Sequence, residues 1–136
     1  MKVKVVYHQQ NVQIQSVVNY DVALPASCSH HHVRLEDTPE ANLLDTLEDT
    51  VDFIEDAIDG DGQVLVHCHN GTSRSAAVVL AFMCYSMGLQ LNDAVDVLRM
   101  DCPSAAPNEG FFEQLQLFVA MGCVSALSRP SGAQGR

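Results

Sequence analysis

The chain has 136 residues, 47% of them hydrophobic, and a formal charge of −10 at pH 7. Its length fits one domain with a single core, and its apolar content argues against global disorder. The acidic balance makes duplex nucleic acid or an anionic membrane a poor partner, because the long-range field repels phosphate. No stretch reaches the roughly 18 consecutive apolar residues of a membrane helix. The opening "MKVK" is charged but leads into no apolar core with a cleavage site, so no signal peptide is read. Five cysteines with no paired spacing point to free thiols in a reducing compartment, cytoplasmic and also nuclear.

Residues 2–7 (KVKVVY) and 12–18 (VQIQSVV) are β-branched and partly alternating, and a polar turn separates them; both predict strands. "CSHHH", Cys28 to His32, reads as a polar loop leading into a short strand over His32 to Leu35. Adjacent histidines on an extended segment point to opposite faces and do not converge on one ion, so no metal site is expected. From Leu43 to Ile58, apolar residues at 43, 44, 47, 51, 54, 57 and 58 follow helical spacing. The acidic residues of Asp45 to Asp61 form that helix's solvated face. "DGDG" ends it, with two glycines giving freedom to turn.

Val64 to Val66 is continuously apolar, as in a strand buried on both faces. Ala76 to Met87 is apolar on nearly all sides and predicts a central helix closed by Gly88. Asn92 is placed to cap a helix reaching Met100, which "CPSAAP" breaks. Asn108 follows Pro107 and caps a last helix carrying Phe111, Phe112, Leu115, Phe118 and Val119, closed at Gly122. The remainder has no periodicity and is expected to be a flexible tail over 123–136 behind a domain over 1–122. Strands alternating with helices imply an α/β layer with a mainly parallel sheet.

Between the buried strand and the central helix lies a polar run, His67 to Ser75, that contains a cysteine, a glycine and an arginine. Backbone N–H groups of such a loop point inward and form a concave anion site, and the helix N-terminus adds partial positive charge. Gly71 lets the backbone curl, and Arg74 offers a planar fork to two phosphate oxygens. The same surroundings favour thiolate over thiol at Cys68, which becomes a nucleophile aimed at the bound oxyanion. In-line attack on phosphorus would give a phosphocysteine. A carboxyl group must protonate the leaving oxygen and later activate water. Asp37 in "RLEDTPEAN" is the candidate, with Glu36 and Glu40 as competitors.

Cys68, five residues, then Arg74 form the cysteine-phosphatase motif, here as "HCHNGTSRS". With "VRLEDTPEANLLDTLEDTVDFIEDA" upstream and "PNEGFFEQLQLF" downstream, the chain resembles the dual-specificity protein phosphatases over residues 12–122. "HCHxGxSRS" with "NEGFxxQLxLxxAMG" is most similar to atypical members that usually carry a C-terminal zinc-binding domain, which this sequence lacks. The resemblance implies an α/β fold of cysteine-phosphatase type: a mainly parallel central sheet flanked by helices, with a shortened N-terminus. The family usually opens with an extra strand and helix, whereas only eleven residues precede Val12. Either the sheet lacks an edge element or "KVKVVY" replaces it.

The resemblance also assigns roles. Asp37 is the general acid, and Ser75 helps stabilise the leaving thiolate. Asn108 buttresses the phosphate loop, and His67 orients it through hydrogen bonds. His69, Asn70, Gly71, Thr72, Ser73 and Arg74 form the substrate-binding loop, with His69 at the pocket mouth and Thr72 and Ser73 holding the loop in shape. The implied activity is hydrolysis of phosphotyrosine and phosphoserine/threonine in protein substrates by a monomer, with no cofactor. Two alternatives stand beside it: a catalytically impaired phosphoprotein-binding module, and a phosphatase of a non-protein phosphate monoester. Cys84 and Cys102 could act as resolving thiols for an oxidised Cys68, although Cys84 reads as core.

Overall fold

The structure is a computed structural model that describes residues 2–5, 12–18, 29–60, 63–69 and 72–123. The tail expected over 123–136 lies, from residue 124 onward, outside the described residues. The elements in chain order are β1 (Lys2–Val5), β2 (Val12–Val17), β3 (Ser29–Val33), α1 (Leu44–Asp59), β4 (Gln63–His67), α2 (Arg74–Met87), α3 (Leu91–Asp101) and α4 (Glu109–Ala120). The four described strands form one sheet in the order β1-β4-β2-β3. β2 runs parallel to both β3 and β4, and β1 runs antiparallel to β4. The expected mainly parallel sheet is therefore present.

β4 lies inside the sheet because its sequence suits that position. Val64 and Val66 are buried and Leu65 is half-buried, so apolar side chains leave the strand in both directions. β1 and β2 do not pair with each other. Instead β1 takes the edge beside β4, in a register that sets Val3 opposite Val66. Of the two possibilities for "KVKVVY", the described part thus fills the edge.

β3 begins earlier and ends earlier than hydropathy predicts, running Ser29–Val33 rather than His32–Leu35. Backbone pairing with β2 from Gln13↔Ser29 to Val17↔Val33 outweighs the polarity of three histidines. The imidazoles fit because they alternate. His30 and His32 stack on each other with ring centroids 5.6 Å apart, while His31 stacks on Phe53 of α1 at 5.3 Å.

α1 starts where two side chains satisfy its first amides. Asn42 Oδ1 accepts from Asp45 N–H at 3.1 Å, and Gln114 Oε1, from α4, accepts from Leu44 N–H at 2.8 Å. The helix ends at Gly60 with φ −85°, a conformation open to any residue, so left-handed freedom is not used there. α2 starts two residues before the predicted Ala76, and every residue from Arg74 to Ala81 is buried. Gly88 closes it in the left-handed region at φ 67°. α3 begins at Leu91 with Gln90 in the cap position, so Asn92 sits in the first turn and does not cap. Leu91 is buried against the core, and the helix start lies two residues earlier than a cap at Asn92 implies.

Asn108 does cap α4, accepting from Phe111 N–H at 2.8 Å. α1 and α2 pack side by side against the sheet, and α3 and α4 pack on α2. Leu47, Ile54, Leu80, Phe111, Leu115 and Phe118 fill the space between the layers. At roughly 1.5–3 kcal/mol for each large apolar side chain, this burial is the main favourable term.

Candidate active site

β4 delivers the chain to Cys68, and α2 begins six positions later at Arg74. Asn70 and Gly71, two of the predicted loop residues, lie outside the described residues. At the head of the loop the half-buried Cys68 sulfur meets Ser75 twice. Ser75 N–H donates to Sγ at 3.2 Å, and Ser75 Oγ lies 3.2 Å from it. Both contacts come from the first turn of α2, whose N-terminal end carries partial positive charge.

Arg74 is 7% exposed, an unusual burial for a guanidinium. One terminal nitrogen donates to the Leu35 carbonyl at 3.0 Å, while its buried Nε has no hydrogen-bond partner among the described residues. A buried unmade hydrogen bond costs about 1–3 kcal/mol, more when the group is charged.

Leu35 is the last buried residue before the carboxylate segment Glu36 to Glu40, so the same carbonyl ties the arginine to the candidate acid. Asp37 is exposed, and its Oδ1 accepts from Asn108 Nδ2 at 2.9 Å. The turn after Asp37 presses onto α4. A Cβ placed on Gly110 would strike the Pro39 carbonyl oxygen and lie 2.5 Å from Pro39 Cα. Gln114 adds a second tie, donating to the Ala41 carbonyl at 2.9 Å.

The segment before α4 also holds the other side of the site. Ala106 N–H donates to the Thr72 carbonyl at 2.7 Å, and Asn108 N–H donates to Ser73 Oγ at 2.9 Å. Asn108 therefore touches the cysteine loop with its backbone, the acid with one end of its amide, and its own helix with the other. Thr72 takes part through its carbonyl and Ser73 through its hydroxyl.

His67 precedes the cysteine with Nε2 2.7 Å from Ser16 Oγ, and Ser16 Oγ is also 2.7 Å from His30 Nε2. His69 is exposed. Burial lowers the basicity of His30, with a further contribution from His32. Burial also pushes the Cys84 thiol up to about 11, with Cys123 adding to the effect, as befits a core position. Among the described residues, no group of three His, Cys, Asp or Glu side chains is placed to share a metal ion.

Four contributors went unnoticed in the sequence: the Leu35 carbonyl, Gly110, Gln114 and Ser16. Only Ser16, a hydroxyl among strand apolars, carried a signal that pattern reading could have used.

A thiol and a guanidinium at the two ends of one strand-to-helix loop place this fold among the cysteine-dependent phosphatases. Within that class, residues 2–120 match the family described as "Dual specificity phosphatase, catalytic domain", and the chain belongs to that family. It is 41% identical over 122 residues to dual specificity protein phosphatase 12 of Mus musculus, covering 85% of this chain and 36% of that protein. It is 39% identical over 92 residues to dual specificity protein phosphatase MPK-4 of Drosophila melanogaster, covering 68% of this chain and 24% of the relative. The chain thus spans well under half the length of these relatives. Human DUSP28 superposes with a TM-score of 0.77 at 33% identity, over 80% of this chain and 74% of that one. A mouse dual specificity phosphatase complexed with zinc tungstate superposes with a TM-score of 0.75 at 31% identity, over 85% and 76%.

Proposed function

We propose that the chain is a protein phosphatase that hydrolyses phosphotyrosine and phosphoserine/threonine through a phosphocysteine intermediate. The observation that carries this reading is Arg74, buried next in sequence to the Ser75 that contacts Cys68, with an Nε donor that has no partner among the described residues. A tetrahedral oxyanion supplies what that donor lacks. The mouse structural relative is a complex with zinc tungstate, whose anion has that shape.

In the proposed reaction Cys68 Sγ attacks phosphorus in line as the ester P–O bond breaks. Asp37 gives its proton to the leaving oxygen. Arg74 and the loop amides hold the equatorial oxygens, where charge develops. Asp37, now a carboxylate, takes a proton from water, and the resulting nucleophile breaks the S–P bond. Free phosphate leaves, and Ser75 donates to the departing sulfur. Asn108 holds the acid near this path. It supports Asp37 over Glu36 and Glu40, because its tether ties Asp37 to the segment that also braces the cysteine loop.

Phosphoprotein substrates fit better than phosphoinositides because Arg74 is the single basic residue of the loop apart from its histidines. The charge of −10 supports a partner other than nucleic acid or anionic membrane. The free thiols of Cys68, Cys84, Cys102 and Cys123 support a cytoplasmic and nuclear location.

The test is hydrolysis of a series of aryl phosphates. Cys68→Ser should abolish turnover while retaining tungstate binding, and Asp37→Ala should slow the poorest leaving groups by about 100-fold or more and the best ones least. Undiminished turnover by Cys68→Ser, or equal slowing of all leaving groups by Asp37→Ala, would overturn the assignment.

A further inference from the structure

We infer that His30 is a positioning residue that acts through Ser16 to select the tautomer of His67, the residue preceding the nucleophile. The inference rests on the role proposed above for Cys68. In the sheet register Ser16 stands opposite His67 on β4 and opposite His32 on β3. His30 is two residues from His32 and therefore shares its face. Three strands thus bring His30, Ser16 and His67 into one row, with the fully buried Ser16 hydroxyl between two Nε2 atoms, each 2.7 Å away.

A hydroxyl carries one proton. It also has two lone pairs, so the buried hydroxyl satisfies both its own donor and an acceptor when it donates to one ring and accepts from the other. With both rings neutral, that arrangement puts the two Nε2 atoms in opposite states. When His30 carries Nε2–H, His67 has a bare Nε2 and its proton on Nδ1. When His67 carries Nε2–H, His30 holds its proton on Nδ1. Nδ1 of His67 is thus a donor in one arrangement and an acceptor in the other. That choice is presented one residue from Cys68, the proposed nucleophile.

The surroundings favour keeping His30 neutral. Its stacking partner His32 opposes a second positive charge, and burial does the same. On the opposite face of β3, His31 meets Gln15 and Phe53 and feels Asp49 of α1. Asp45 and Asp49 of α1 both line the cleft beside His31 and His32. The hydroxyl chain, rather than net charge, is then what communicates between His30 and His67.

The test uses the whole chain labelled with ¹⁵N, whose ring nitrogen shifts identify each tautomer at pH 7. Alkylation of Cys68 by iodoacetamide is followed by peptide mass spectrometry in parallel. In the wild type His30 and His67 should show opposite Nε2 states. In His30→Ala the His67 tautomer should become mixed, and Cys68 alkylation should fall about fivefold, the effect of one ordinary hydrogen bond. His30→Gln, whose amide can donate or accept across the same gap, should restore both. An unchanged His67 tautomer in His30→Ala overturns the inference. So does a changed tautomer with unaltered alkylation, or a Gln variant no better than Ala. Aryl phosphate turnover by the wild type is read separately. Its absence would count against the phosphatase reading and leave the tautomer and alkylation comparisons to decide the role of His30.

Discussion

Asn108 holds the Asp37 carboxylate through Nδ2 at 2.9 Å while the other end of the same amide caps α4 through Phe111 N–H at 2.8 Å. One side chain therefore couples helix stability to the position of the candidate acid, and two substitutions separate these roles. Asn108→Ala removes both contacts, costing about 1 kcal/mol and about 4 °C in Tm, together with turnover. Asn108→Asp keeps the cap acceptor at the positive end of the helix but sets like charges against each other at Asp37. Its Tm should stay within about 2 °C of the wild type while turnover still falls. Parallel loss of Tm and turnover in the Asp variant would contradict the division.

Gly110 gives a prediction whose sign is informative. At an open helical site Gly→Ala stabilises by about 1 kcal/mol. Here the new methyl would meet Pro39 backbone, 2.5 Å from Cα and 2.6 Å from the carbonyl carbon, and neither atom belongs to a flexible side chain. Gly110→Ala should instead destabilise by about 1–3 kcal/mol and displace the Asp37 segment, lowering turnover. A thermal melt that rises on substitution would show that the segment yields freely.

His31 should make the fold acid-sensitive. Burial lowers its basicity from the usual 6.5, and only part of this is offset by Asp49. The unfolded chain therefore takes up a proton at a pH where the folded chain does not. Stability is complete above about 6.5 and declines as pH falls from there towards the lower folded value. His30 acts in the same direction. The Tm difference between pH 7.5 and pH 5.5 should be larger in the wild type than in His31→Gln, and equal differences would remove His31 from the account.

Cys84 should behave as core rather than as a reagent. Its thiol is held near 11, so it stays protonated at neutral pH and resists iodoacetamide in the folded protein. Denaturation exposes it and restores ordinary reactivity. The linkage runs opposite to that of the histidines. Because the folded value is raised, the contribution is present at neutral pH and is lost as pH climbs from the ordinary value of 9.0 towards about 11. Labelling of Cys84 in the native state at a rate matching the denatured chain would contradict this.

Much of the architecture could be read from local pattern. The buried strand over Val64–Val66, the central helix and the Asn108 cap all follow from hydropathy and capping chemistry, which act within a few residues. Pattern reading failed where distant backbone decided the outcome. β3 begins at Ser29 because β2 offers a parallel ladder there, a fact no local signal around three histidines conveys. Lys2–Val5 seeks β4 rather than its neighbour in sequence for the same reason. Asn92 looks like a cap, yet burial of Leu91 moves the start of α3 past it. At the site, Cys68, Arg74 and Asp37 were legible as reactive residue types in a recognisable order. Gly110 and the Leu35 carbonyl matter through tertiary proximity and carry no chemical label in the sequence.

The bond from Arg74 to the Leu35 carbonyl has an entropic consequence. A free arginine side chain holds about 2 kcal/mol of rotamer freedom. Here most of that freedom is already surrendered when the domain folds, because one prong of the fork is fixed to the chain and the stem is enclosed. An arriving anion would meet a guanidinium that has little motion left to lose, so even a small free oxyanion should bind at little ordering cost.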